Sequence, residues 1–251
     1  MNILAIGNSF SEDATYYLHS VLDAAGVESY VVNLYIGGCS LERHWQNIEK
    51  QAADYQFQEN GIKTERLISI QEALLLRDWD VIVTQQASHD SGWAETYEPF
   101  LGLLVEYIRK EAPRAKIFMQ KTWAYEPDSP HPNFMRYHRD QAEMMLRLSS
   151  CYREAAARYG LPLIPCADLI QKLRALPVFR YPDGPLRICR DGFHMHYLYG
   201  RYALACIWAR AIAGIRVSGL ALPPASAFLP DVPADPAIIS TIQQTADSLL
   251  C

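Results

Sequence analysis

No run of apolar residues in this chain approaches the roughly 18 that a membrane-spanning helix needs, so no helical membrane span is expected. There is also no basic stripe. The 23 Lys and Arg residues are outnumbered by 28 Asp and Glu, the net charge is -5, and the cations are dispersed. A surface that neutralises a run of phosphates is therefore not expected, and nucleic acid is excluded as a partner. The small group Arg136, His138 and Arg139 reads as a solvated helix face. Six cysteines (Cys39, Cys151, Cys166, Cys189, Cys206 and Cys251) lack the short pairings of a zinc site or redox motif, and free thiols in a reducing compartment are expected. No basic n-region precedes the apolar residues 2–6, which are too few for a signal-peptide core. A cytoplasmic location is expected, the alternative being export by a signal peptide that this sequence does not carry. Glycine spacing matches neither a Walker loop nor a dinucleotide fingerprint, so no nucleotide cofactor is implied.

Half of the 251 residues are hydrophobic and a fifth are charged, enough for a sizeable core around one domain spanning 1–251. The proline-rich stretches 127–132 and 223–236 read as ordered surface loops, with 223–251 a C-terminal extension packed on that domain.

Residues 2–6 are apolar at nearly every position and stop at Gly7-Asn8-Ser9, as a strand covered on both faces does. Ala14, Tyr17, Leu18, Val21, Leu22 and Ala25 then repeat at the spacing of one helical face, with Gly26 as a stop. Further strands are expected at 29–36, 80–85, 116–120 and 161–164, with helices on the stripe from Phe100 to Ile108 and over 137–159. The segment before residue 80 reads as a long polar and helical insert. Strand and helix alternate, and parallel neighbours need crossover connections that lay helices over the sheet. The expected fold is a flavodoxin-like three-layer α/β/α sandwich with a central, mainly five-stranded parallel sheet. Its ligands belong outside the carboxyl ends of the strands.

Those ends carry the reactive residues. Gly7-Asn8-Ser9-Phe10-Ser11 places a hydroxyl on a sharp turn between the first strand and a helix, although Ser9 or Ser11 would serve equally as a helix cap. Asp191-Gly192-Phe193-His194 sets a carboxylate three residues before an imidazole. There it can hold Nδ1–H and leave Nε2 facing a serine. Asp191, His194 and His196 with Cys189 nearby offer metal ligands only in a loose pattern, and no metal is expected.

Together these segments, in this order, resemble the SGNH (GDSL-like) hydrolase superfamily, here with a Gly-Asn-Ser-Phe-Ser first block. The resemblance implies Ser9 as nucleophile and Asp191 and His194 as its catalytic partners. Gly37-Gly38 falls at the family's second block, which implies that the Ser9 and Gly38 N–H groups bind an oxyanion. The third block departs from the family's Gly-x-Asn-Asp: His89 falls at the Asn position, and Gln85 or Gln86 stands slightly earlier, with Gln86 favoured as the side-chain donor.

The implied chemistry is acyl transfer on an ester, most of all removal of O-acetyl or other short acyl groups from a carbohydrate. Trp45, Trp93, Trp123 and Tyr125 are expected to pack on the substrate, because each follows a strand end or lies in an adjoining loop. A lipid, aryl or thioester hydrolase would use the same triad, and a non-catalytic relative would bind carbohydrate without turnover.

Overall fold

Ile3, Leu4, Ala5 and Ile6 have no exposed surface, which is the environment of a central strand buried on both faces. In the computed structural model, which describes residues 1–250, this strand, β1 (Asn2–Gly7), leads into α1 (Ser9–Thr15) and α2 (Leu18–Ala24). The apolar stripe predicts one helix here. The chain instead breaks at Tyr17, whose ψ of 0° departs from the helical value, and the Tyr16 and Tyr17 rings meet edge to face at 4.7 Å.

The chain continues through β2 (Tyr30–Tyr35), α3 (Leu41–Lys50), β3 (Tyr55–Glu59), β4 (Ile62–Ile68), α4 (Ile70–Leu75) and β5 (Val81–Thr84). After these come α5 (Phe100–Glu111), β6 (Lys116–Gln120), α6 (Gln141–Tyr159), β7 (Leu163–Ile164), α7 (Cys166–Ala175), α8 (Tyr199–Ala213) and α9 (Pro236–Asp247). The central sheet has seven strands in the order β4-β3-β2-β1-β5-β6-β7. Neighbours from β2 to β7 run parallel, whereas β3 and β4 are added antiparallel at the β2 edge.

The expected count of five strands is thus corrected, because part of the presumed helical insert is a hairpin. Asn60 and Gly61, at its tip, have φ of 48° and 82°, the left-handed pair that a two-residue hairpin turn requires. A Cβ on Gly61 would lie 2.3 Å from the Tyr16 carbonyl oxygen, so the tip rests on the break between α1 and α2 and tolerates only glycine. The outer strand β4 exposes Lys63, Glu65 and Arg66, charges that discourage pairing with a further strand.

The helices pack about the sheet in two groups, α1, α2, α7, α8 and α9 in one and α3, α4, α5 and α6 in the other. Ile239, Ile242 and Ala246 of α9 belong to the same buried cluster as β1. Asp247 accepts the Val217 and Ser218 N–H groups and lies 3.1 Å from Arg210, fastening the last helix to α8. Among the described residues no helix is long and apolar enough to cross a membrane. Cys39, Cys151, Cys166, Cys189 and Cys206 are buried free thiols, and Cys251 lies outside the described residues.

Candidate active site

The turn after β1 is built by its polar side chains. Asn8 caps α1: its Oδ1 accepts the Phe10 N–H at 3.0 Å, while Ser11 Oγ accepts the Asn8 N–H at 3.0 Å. A Cβ on Gly7 would lie 2.3 Å from Ser11 Oγ, so the close approach of strand and helix needs glycine. Ser11 is buried and faces Asn33 at 2.6 Å. The capping role thereby falls to Asn8 and Ser11 and leaves the Ser9 hydroxyl in a cleft of about 370 Å³ at the carboxyl ends of the parallel strands.

Across that cleft, His194 Nε2 lies 2.9 Å from Ser9 Oγ, and His194 Nδ1 lies 2.7 Å from Asp191 Oδ2. The other Asp191 oxygen accepts the backbone N–H of His194 at 2.7 Å and of Phe193 at 3.1 Å. Partial burial pushes the Asp191 carboxyl up, but the hydrogen bonds from His194 and Phe193 outweigh it and hold the group at about 2. Asp191 is therefore a carboxylate near neutral pH, and its charge favours the Nδ1–H tautomer that leaves Nε2 toward Ser9.

The loop bearing Asp191 and His194 is pinned on several sides. Cys189 and Met195 form an antiparallel bridge at its base. Gly192 has φ of 87° and sits so close to Ser129 that a Cβ would lie 2.7 Å from that residue's Cα. Its carbonyl accepts the Glu126 N–H at 2.7 Å, and the Phe193 carbonyl accepts the Trp123 indole N–H at 2.7 Å. Asp13, one helical turn after Ser9, accepts the Met195 N–H at 2.8 Å and so joins this loop to α1.

Gly37 and Gly38 line the cleft beside Ser9, Gly38 with φ of 63°. Among the described residues neither the Ser9 N–H nor the Gly38 N–H has an acceptor, so both are available to a bound oxygen. Gln86 differs from expectation. Its amide nitrogen donates to the Thr96 carbonyl (2.8 Å) and hydroxyl (3.0 Å), and its oxygen accepts the Leu41 and Ala87 N–H groups, so the fully buried side chain has no donor left for the cleft. His89 does line the cleft, with Nε2 3.4 Å from Asp90 and its ring stacked on His131 at 5.9 Å. Burial holds its pKa below the ordinary histidine value, with Asp90 and Arg136 opposing each other.

A chain of buried amides, absent from the sequence reading, runs beneath these loops. The Trp208 indole N–H donates to Gln120 at 2.7 Å, the Gln120 amide to Gln85, the Gln85 amide to Asn8 at 2.7 Å, and the Asn8 amide to the Cys39 carbonyl at 3.0 Å. An indole can only donate, so the orientation of every amide after it is fixed. The chain crosses from β6 through β5 to the turn carrying Ser9 and ends on the residue after Gly38.

None of the four aromatic residues expected at the substrate lines the cleft. Trp123 is fully buried and stacks on Phe10 at 4.1 Å, Tyr125 is fully buried with its hydroxyl 2.8 Å from Ser88, Trp93 packs on Tyr137 and Arg147, and Trp45 packs against the core from α3. The rings that face the cleft are Phe10, Tyr35, Phe193, Tyr197 and Phe228. His196, considered as a metal ligand, instead accepts the Leu198 and Tyr199 N–H groups through Nδ1 ahead of α8.

The family described as Domain of unknown function (DUF4886) matches residues 2–227. The chain belongs to this family. A DUF4886 family protein from Bacteroides uniformis, solved by crystallography, is 35% identical, with a TM-score of 0.89 over 99% of this chain and 93% of that one. More distant likenesses include a protein from Slackia heliotrinireducens proposed to be an SGNH hydrolase, 23% identical with a TM-score of 0.59 over 84% of this chain and 98% of that one. A catalytic mutant of an acetylxylan esterase from Geobacillus stearothermophilus is 13% identical, with a TM-score of 0.57 over 84% of this chain and 93% of that one. At those identities the likeness concerns the fold of this DUF4886 chain. No curated protein matches it.

Proposed function

We propose that the chain is an SGNH-type serine esterase that removes O-acetyl or other short acyl groups from a carbohydrate, with Ser9, His194 and Asp191 as its triad. One observation carries this reading: the unbroken contact from Ser9 Oγ to His194 Nε2 at 2.9 Å and from His194 Nδ1 to Asp191 at 2.7 Å. That is the arrangement in which an imidazole removes a serine proton while a carboxylate holds its tautomer and stabilises the imidazolium.

In this mechanism Ser9 Oγ attacks the ester carbonyl carbon and passes its proton to His194 Nε2. The oxyanion of the tetrahedral intermediate accepts the free N–H groups of Ser9 and Gly38, with the His89 ring edge as the side-chain candidate in place of Gln86. Collapse expels the alcohol, which takes the proton from His194. Water then attacks the acyl group on Ser9 with His194 again as base, releasing the carboxylic acid and restoring the hydroxyl.

The cleft mixes charged and hydroxyl-bearing side chains with the rings of Phe193, Tyr197 and Phe228, a lining suited to a sugar rather than a long alkyl chain. A second reading, an aryl or longer acyl ester cleaved by the same triad, draws support from an adjoining cavity of about 530 Å³. Tyr16, Tyr17, Ile62 and Pro224 line it. Acetylated xylo-oligosaccharides assayed against short and long acyl nitrophenyl esters test the choice. The highest kcat/KM is expected on the acetylated sugars. A maximum on long acyl esters would transfer the case to the second reading, and sugar binding without turnover would leave a non-catalytic relative.

A further inference from the structure

Arg201, the third residue of α8, is 2% exposed and yet lines the cleft that holds Ser9 and His194. A guanidinium has five N–H donors, and a buried one ordinarily has acceptors for most of them. Here only Nε has a hydrogen-bond partner among the described residues, donating to Asp13 at 2.8 Å, and Nη1 is buried with none. Aromatic rings surround the group instead: those of Tyr16, Phe228 and Tyr197 lie 4.5, 4.9 and 5.0 Å from its central carbon. Contacts of that kind stabilise the charge without supplying oxygen acceptors to its N–H groups.

Within its immediate cluster the charges do not cancel. Asp13 answers two cations, Arg201 and Arg190, the latter at 3.0 Å, and a single carboxylate between two guanidinium groups leaves the cluster with formal charge +1. Glu12, a carboxylate on the cleft wall, is already paired with Lys63 at 2.7 Å. A buried net cation with free donors at a ligand cleft is stabilised by an anion that supplies the missing acceptors.

We infer that Arg201, set in its aromatic frame with Arg190 beside it, is a subsite for a carboxylate carried by the substrate, so that the preferred ester belongs to an acidic sugar or to a chain containing uronic acids. A guanidinium group favours the planar, two-oxygen carboxylate as its partner. Asp13, which accepts from Arg201, stands one helical turn after Ser9, and Ser9 and Arg201 line the same cleft. Phe228 and Tyr197, stacked on each other at 4.5 Å and 8°, line the cleft alongside and offer apolar surface to a sugar.

The inference rests on the esterase reading for the position of the ester, but not for the binding of the anion. Calorimetry with unesterified methyl glucuronide and methyl glucoside on the wild-type protein separates the two. The glucuronide is expected to bind at least about tenfold tighter, with the advantage shrinking as NaCl rises from about 0.05 to about 0.5 M. Arg201→Gln should abolish the difference. Should that variant fail to fold for want of its Asp13 contact, the wild-type comparison stands, and Lys110→Gln, altered at an exposed side chain of α5 outside the cleft, should keep the preference. Equal affinities for the two glycosides, a preference lost in Lys110→Gln, or tighter binding of methyl glucoside 6-sulfate than of the glucuronide would each overturn the assignment. Ester hydrolysis without a preference for acidic sugars sinks the subsite and leaves the triad standing, whereas glucuronide binding without hydrolysis does the reverse.

Discussion

Asp13 accepts the Met195 backbone N–H at 2.8 Å, across 182 residues of sequence, and thereby fixes the helix that carries Ser9 against the loop that carries His194. The same fully buried carboxylate accepts Arg201 and Arg190. Asp13→Ala should therefore cost about 3–5 kcal/mol of unfolding free energy, the usual result of stranding one side of a buried ion pair. Urea unfolding measures it. A loss below about 1 kcal/mol, the range of ordinary surface changes, would show that the cluster does not hold the two elements together.

Gln85 and Gln86, the two residues after β5, are adjacent but opposite in consequence, because Gln85 bonds to Asn8 and Gln120 whereas Gln86 bonds to Thr96, Leu41 and Ala87. Gln85 holds Asn8 in the turn before Ser9, so Gln85→Ala in a folded protein should lower kcat by about tenfold or more with KM changed by less than about threefold. Gln86→Ala should leave kcat within a few-fold and cost about 1–3 kcal/mol in stability, since it strands the Leu41 and Ala87 N–H groups. A kcat loss of about a hundredfold in Gln86→Ala without loss of stability would restore it as an oxyanion donor.

His44 supplies a test by pH. It is fully buried, and burial lowers its pKa from 6.5 to about 3. The unfolded chain takes up a proton that the folded chain refuses, so this stabilising contribution is complete above pH 6.5 and is lost progressively as the pH falls toward 3. Wild type should lose more unfolding free energy between pH 7 and pH 5 than His44→Gln. Parallel losses in the two proteins would mean that His44 is protonated in the folded state.

The residues at the strand ends were legible because their signals are local: Gly7-Asn8-Ser9, Gly37-Gly38 and Asp191 to His194 each fit within a few positions, and each lies in the cleft or bonds to a residue that does. The β3–β4 hairpin was missed although Asn60-Gly61 is a hairpin-turn signature, because the polar residues around it read as insert. Proximity to a strand end does not say which way a side chain turns, and Trp123 and Tyr125 turn inward to support the loops rather than outward to the cleft. The amide chain from Trp208 to Cys39 and the pairing of Asp13 with Arg201 join residues far apart in sequence, and nothing in local spacing announces them.

The central claim is that Ser9 attacks the substrate, and the most direct measurement is the turnover of an acetyl ester by wild type and by Ser9→Ala, with the fold checked by circular dichroism. The proposed triad predicts a fall in kcat of about a thousandfold or more in a protein that remains folded. Activity within about tenfold of wild type in a folded Ser9→Ala protein would contradict it.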